Sequence, residues 1–335
     1  MRLFLRRLRA ALGPLLGLVL FSAAIVLLVR DLQKIEWADF VEGVTGVPWL
    51  YLALAALLIG LNYFLLITYD MLALRYVKRS LPVRRVALVG FLGYALGNNL
   101  GTLVAATPLR FRLYTQWGIP PKQIMAIVIL LGLTFWSGIC WLAGTVLLFV
   151  DVPLPEEVSL PVSTRTFGGI LLTVGLVYAG ICLWWRRPLP IGGLKLQPPH
   201  IELMTLQTSV AALDLTISAT ALYLVLPSES VVAFQLVLAA YLLGITASLV
   251  TQVPGGLGVL EVILLKLLAG SAGNAVIGSL LIFRLLYYVA PLLIALLILA
   301  VYESTRMRGP PPIIETSNEE TLLTDGQPVE DEHEA

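Results

Sequence analysis

Charge is scarce in this sequence: Asp, Glu, Lys and Arg make up only 13% of its 335 residues, against 58% hydrophobic residues. So little polar surface cannot cover one or two soluble domains, which excludes a soluble globular protein. Histidine and cysteine are scarcer still, with two of each. His200 and His333 are too few for a histidine metal centre. Cys140 and Cys182 lie in apolar segments far from any metal-ligand spacing, so they read as buried side chains rather than as a disulfide or a metal site. A phosphate loop and a nucleotide fingerprint are missing, as is the alternating ten-residue pattern of a membrane barrel. The sequence therefore calls for no metal, no other cofactor and no nucleic-acid partner.

What is present is a series of apolar segments of about twenty residues, each long enough to cross a hydrocarbon core as a helix. Clear spans are 12–29, 48–69, 122–150, 167–185, 203–226 and 274–302, with ambiguous apolar regions at 86–107 and 231–270. The basic residues 1–11 and the long apolar run after them predict a retained first helix with a cytoplasmic N-terminus rather than a cleaved signal. Arg75, Lys78, Arg79, Arg84 and Arg85 place the next basic loop inside, the acidic loop with Asp151, Glu156 and Glu157 falls outside, and Arg186, Arg187 and Lys195 return the chain to the cytoplasm. Arg306 and Arg308 suggest that the last span ends inside.

A single crossing at 86–107 would put Arg110, Arg112 and Lys122 outside and invert every later loop. A re-entrant hairpin removes the conflict: the chain enters from the cytoplasm, turns at GYALGNNLG and leaves again. Arms of about ten residues would each reach ~15 Å. Broken backbone at that depth is tolerated only where protein or a wet cavity surrounds it. Residues 231–273 must likewise start and finish on one side, outside. The two regions share a short internal match, YALGNNLGTLVAATP at 94–108 against YLLGITASLVTQVP at 241–254, pairing Gly97 with Gly244 and Pro108 with Pro254. The predicted fold is all-α, a polytopic membrane helix bundle. Inverted-topology repeats at 12–150 and 167–302 each carry a broken or re-entrant element, and a disordered acidic cytoplasmic tail follows at 303–335.

Charges buried in such a bundle single themselves out, because each costs at least ~2.5 kcal/mol at the centre of a span. Asp214 and Arg284 lie near the middle of their spans, and Glu261 follows the helix-breaking PGGLG of Pro254, Gly255, Gly256 and Gly258. A helix starting near Leu257 would aim backbone N–H groups at an interior site suited to an anion. Asp214, Glu261 and Arg284 can equally form structural ion pairs, and Glu261 also suits the first turn of a helix. Arg110 and Arg112 could hold a lipid phosphate or serve as cytoplasmic anchors. Asn98 and Asn99 could satisfy broken backbone at the hairpin tip or touch a headgroup. Asp70 reads as an interfacial residue without a role, and Lys266 as a snorkelling one.

GNNLG followed by PLRFRLY, then VPGGLGVLE and FRLLYY, resembles the membrane region of bacterial lysylphosphatidylglycerol synthases, also called multiple peptide resistance factors, and the stand-alone YbhN-like family. The resemblance covers about residues 10–302. It implies a lipid flippase region of the inner membrane, with Pro254, Gly255, Gly256, Gly258, Glu261, Arg284 and Arg112 on the lipid's path. In two-part members a separate domain transfers an aminoacyl group to phosphatidylglycerol. Only the short tail follows the last span here, so synthase activity is not expected. The expected function is translocation of a lipid with a charged headgroup; the alternative is an integral-membrane enzyme or accessory subunit acting on a lipid-linked substrate without moving it. Expected partners are membrane lipids, further copies of the chain or a separately encoded lipid-modifying enzyme.

Overall fold

The computed structural model describes residues 46–152, 163–185, 187–191, 194–226, 232–251, 258–272 and 275–308. The expected first span at 12–29 and the helix breakers Pro254, Gly255 and Gly256 lie outside these residues. Contacts divide the chain into two units, 1–299 and 300–335. Nearly everything described is helical, apart from one small hairpin of strands, β1 (Leu189–Ile191) and β2 (Leu194–Leu196), paired antiparallel.

Helix α1 (Trp49–Tyr76) starts behind Pro48 and spans 28 residues, about 42 Å. It stops at Lys78, whose φ of 55° is the left-handed conformation usually reserved for glycine; Arg79 N–H then reaches back to Leu74 O at 3.0 Å. Next come α2 (Val83–Leu100), a π-helical segment (Thr102–Ala106) and α3 (Thr107–Gln116). Gly101 separates the two arms, with φ of 94°, a backbone state that only glycine adopts without strain. The arms then run antiparallel: a methyl group at Gly97 would stand 3.0 Å from Ala106 Cβ, and one at Gly93 would stand 2.8 Å from the Arg110 guanidinium carbon. The second arm ends at Gly118, and Pro120 and Pro121 open α4 (Pro121–Phe149).

Both ends of this helical hairpin sit at one end of the bundle. The Arg85 guanidinium lies 5.4 Å from the Trp117 ring centre, Arg79 Nε donates to Gln123 Oε1 at 2.8 Å, and Tyr76 donates its hydroxyl hydrogen to Gln197 O. The three basic loops assigned to one side by charge are therefore together in space. The turn falls at Gly101, the last residue of the expected stretch GYALGNNLG, and is tighter than expected. GYALGNN does not interrupt α2, which continues to Leu100, so the arms are 18 and 15 residues rather than about ten. Its glycines serve close packing, and the Asn99 amide donates back to Ala95 O at 2.8 Å inside the helix.

Helices α5 (Thr164–Trp184) and α6 (Ile201–Leu224) follow. α5 is peripheral: Ile170, Val174, Leu176, Val177 and Leu183 are exposed, as suits a helix facing lipid. α4, α5 and α6 approach almost backbone to backbone. A methyl at Gly138 would overlap Ala211 Cβ, one at Gly144 would lie 2.8 Å from Leu172 N, and one at Gly168 would lie 3.0 Å from Gly144 O. Central helix α6 packs on α1, α4, α5, α7 (Phe234–Thr251) and α9 (Ala275–Arg284). Helix α8 (Val259–Ala272) packs on α7, and Gly244 is where it fits: a methyl there would strike Leu260 Cδ1 at 2.6 Å. Thus both glycines of the internal sequence match stand where two hairpin arms touch.

Among the described residues, five helices are long and apolar enough to cross a membrane: Trp49–Tyr76, Pro121–Phe149, Thr164–Trp184, Phe234–Thr251 and Val276–Thr305. The expected span 203–226 is helical as α6, but its Gln, Ser, Thr and Asp residues leave it out of that set; Gln207, Asp214 and Ser218 among them are buried against neighbouring helices, while Leu206 and Leu213 are exposed. The expected single helix 274–302 is α9, a π-helical segment (Leu285–Val289) and α10 (Ala290–Arg308). Residues 303–308, assigned to the disordered tail, are thus helical. Both π segments end two residues before a proline, Pro108 and Pro291, whose rings clash with the preceding turn and widen it.

Candidate functional site

The first buried polar group is an ion pair at the hairpin. Arg110 on α3 donates from Nε to Asp70 Oδ1 at 3.1 Å and from Nη2 to Oδ2 at 2.9 Å, and the Tyr114 hydroxyl donates to Oδ1 at 2.7 Å. The side chains are 3% and 0% exposed, and the guanidinium lies 4.9 Å from the Tyr94 ring centre. Gly93 makes the room: any side chain there would occupy the guanidinium's place. Asp70 therefore does have a structural role, and Arg110 is committed to it rather than available as a cytoplasmic anchor or to a lipid phosphate. Arg112, two residues on, is half-buried and stands outside this pair.

The second group surrounds Asp214, which is 2% exposed at the middle of α6. Asn62 on α1 donates from Nδ2 to Asp214 Oδ1 at 2.6 Å, to Asp214 O at 3.0 Å and to Ser218 Oγ at 3.2 Å. The Tyr69 hydroxyl donates to Asp214 Oδ2 at 2.8 Å, and the Tyr287 hydroxyl donates to Asn62 Oδ1 at 3.3 Å. Ser218 completes the network through Asp214 O at 3.0 Å and the Tyr287 oxygen at 3.3 Å. Asp214 therefore joins neither Glu261 nor Arg284.

Those two form the third group. Arg284 Nη1 stands 3.2 Å from Glu261 Oε1, with the side chains 18% and 23% exposed, so this pair is reachable in a way the first is not. The other carboxylate oxygen, Oε2, accepts the Gly258 backbone N–H at 2.8 Å. Gly258, with φ of 84°, precedes the first residue of α8, and Glu261 occupies the third position, so the glutamate caps its own helix. The anion expected at this helix end is supplied by the chain itself.

The first hairpin reaches this third group at the π turn. The Asn99 amide donates to Tyr288 O at 3.2 Å, and the Asn98 side chain lies beside the Tyr63 hydroxyl. Pro291 has no N–H to offer Tyr287 O four residues back, and the Tyr63 hydroxyl donates there instead at 3.0 Å. Tyr288 lies within electrostatic reach of both Glu261 and Arg284. Arg284 through Tyr288 is thus a short segment on which the tip of one hairpin and the first turn of α8 both converge. Of the residues singled out from sequence, Asn98, Asn99, Gly258, Glu261 and Arg284 meet here; Asp214 connects through Tyr287, and Arg110 is separate.

The sequence reading names none of Asn62, Tyr63 and Tyr69, and it gives Asp70 no role. Asn62 and Asp70 are polar residues within an apolar helix of 28 residues, which is the signal that points to them. The prolines two residues beyond each π segment are the corresponding signal for the widened turns.

No family model matches the chain. It is 33% identical over 288 residues to the inner membrane protein YbhN of Escherichia coli, covering 85% of this chain and 90% of that one. An uncharacterized Synechocystis protein, slr0712, is 30% identical over 88% of this chain and 92% of its own length. The phosphatidylglycerol lysyltransferase of Staphylococcus haemolyticus is 24% identical over 89% of this chain, but the match spans only 34% of that protein. With its helical architecture and this near full-length similarity, the chain belongs to the YbhN-like family of multi-pass inner-membrane proteins, which is related to the membrane part of the phosphatidylglycerol lysyltransferases.

Proposed function

We propose that the protein is a lipid translocase of the inner membrane that moves a phospholipid or another lipid with a charged headgroup. The observation that carries this reading is the convergence of two helical hairpins on Arg284–Tyr288, beside a half-accessible ion pair. Transporters built from inverted repeats hold their substrates where discontinuous helices meet. In this reading the halves 12–150 and 167–302 have opposite orientations, both hairpins are re-entrant and both termini are cytoplasmic. A lipid phosphate displaces Glu261 from Arg284 and takes the guanidinium's paired N–H groups. The released carboxylate then receives a cationic group on the same lipid. The relatives named for acting on phosphatidylglycerol make that lipid, with or without a lysyl group, the first substrate to try.

The enzymatic alternative needs Glu261 as an acid or base, yet both its oxygens are engaged, one by Arg284 and one by the Gly258 N–H. The test is movement of fluorescent phosphatidylglycerol between leaflets of proteoliposomes, read by quenching of the outer leaflet. Wild-type vesicles should flip faster than empty ones, Arg284→Ala should abolish the difference, and Glu261→Gln should change the headgroup preference. Equal rates with and without protein, across anionic and aminoacylated headgroups, would sink the proposal.

A further inference from the structure

The Asp214 cage holds a carboxylate with no countercharge among the described residues. Asp214 takes part in none of the ion pairs Asp70–Arg110, Asp151–Arg165 and Glu261–Arg284. The titratable groups that face it among the described residues are tyrosines: Tyr63 and Tyr69 from α1, Tyr94 from α2, Tyr241 from α7 and Tyr287 from the π segment. Among the described residues, α4, α5 and α9 present no charged group to it. Arg110, whose guanidinium lies against the Tyr94 ring, is already neutralised by Asp70.

A charged carboxylate at this depth has a large solvation deficit that two neutral donors do not repay. Three ways out exist: a bound metal cation, a cationic ligand, or a proton. The cage rules against the first, because its Asn62 corner presents N–H groups. Three acceptors surround Asn62 Nδ2, and the Tyr287 hydroxyl donates to Oδ1, so the amide orientation follows from four partners together. With the side chain 2% exposed, a cationic headgroup has no way in. A proton fits without rearrangement. Protonated Asp214 Oδ2 donates to the Tyr69 oxygen, and the Tyr69 hydroxyl, a donor and acceptor in one, rotates to allow it.

We propose that Asp214 is a proton-binding site, loaded in the closed bundle and emptied when the network opens to water, and that this cycle drives the lipid step. The proton comes from water on one side of the membrane and leaves to water on the other; no other bond forms or breaks. Opening has a defined geometry, because the cage is made of three elements: α1 through Asn62 and Tyr69, α6 through Asp214 and Ser218, and the π turn through Tyr287. The π turn is also the segment that Asn99 and Tyr63 hold, so a shift there breaks the Tyr287 bonds and loosens the hold of Asn62 on Asp214. The coupling half of this proposal rests on the translocase reading; the proton site does not.

The test uses the purified full-length chain. Infrared spectra should show the carbonyl stretch of a protonated carboxyl group that disappears with rising pH, is missing in Asp214→Asn and moves in frequency in Tyr69→Phe, which removes one hydrogen bond. Should Asp214→Asn fail to fold, the Tyr69→Phe shift decides by itself. In proteoliposomes, a transmembrane pH difference should change the leaflet distribution of fluorescent phosphatidylglycerol by about tenfold per pH unit for one coupled proton, and have no effect in Asp214→Asn. Identical spectra for wild type and Asp214→Asn, or for wild type and Tyr69→Phe, would overturn the proton site. Lipid movement that ignores the pH difference, or follows a sodium gradient instead, would overturn the coupling. Vesicles that move no lipid at all would refute the translocase reading, while the spectra would still decide the proton site.

Discussion

Arg110 and Asp70 show what a single residue can mean in an apolar bundle. Two arginines two positions apart, Arg110 and Arg112, look alike in the sequence, yet one is locked in a bidentate buried pair and the other is half-buried outside it. Breaking the buried pair leaves an uncompensated charge, so Asp70→Asn and Arg110→Ala should each destabilise the fold by about 3–5 kcal/mol. The measurement is thermal unfolding in detergent, and Arg110→Lys should not restore the loss, since an ammonium cannot make the two parallel bonds. Gly93→Leu should reproduce the same defect without touching either charge, because its side chain would take the guanidinium's place. The partner of Arg110 was not legible in advance: hydropathy marks where a charge lies along a span but not which neighbouring helix faces it. The ion pair of Glu261 with Arg284 was legible as an alternative, since both charges stood alone in apolar runs. That Glu261 also closes its own helix end followed from its place in the first turn.

Elements were read from sequence with uneven success, and the reason is consistent. The hairpin at 83–116 could be inferred because loop charge forbids a single crossing. Its apex falls at the last residue of the expected stretch GYALGNNLG, since Gly93 and Gly97 act as contact surfaces rather than breakers and Gly101 turns the chain. The arms can be trapped directly. In a background lacking Cys140 and Cys182, the double variant Gly97→Cys and Ala106→Cys should form a disulfide on mild oxidation, since a Cβ at 97 would stand close to that of residue 106. Absence of the cross-link would contradict the antiparallel arms. At the tip, Asn99→Ala should slow lipid movement several-fold while shifting the melting temperature little, because it removes one bond of 3.2 Å to the Tyr288 carbonyl in the π turn. A large loss of stability with unchanged lipid movement would show that the contact is structural.

At the scale of the whole molecule, composition alone identified a membrane helix bundle, and loop charge grouped the basic connections that Arg79, Arg85 and Tyr76 bring to one end. The opposite orientation of the two halves remains a prediction, with its own measurement. In the cysteine-free background, a probe at Thr115 should react only after cells are permeabilised, whereas one at Ser271 should react in intact cells. Labelling of Thr115 from outside would remove both the re-entrant hairpin and the inverted halves.

The glycine contacts among α4, α5 and α6 bear on motion as well as on packing. With a methyl's width or less between their backbones at Gly138, Gly144 and Gly168, these helices cannot slide or roll past one another without collision. In the translocase reading they act as a stator. α8 is interlocked in the same manner with α7 at Gly244, and α2 lies close on α1 at Gly90, so each would move with its partner. The widened turn before Pro291 is tied to the α2–α3 tip by a hydrogen bond and, through Arg284, to α8 by an ion pair, so it is the element on which those two packed pairs would hinge against a frame drawn by three residues that have no side chain.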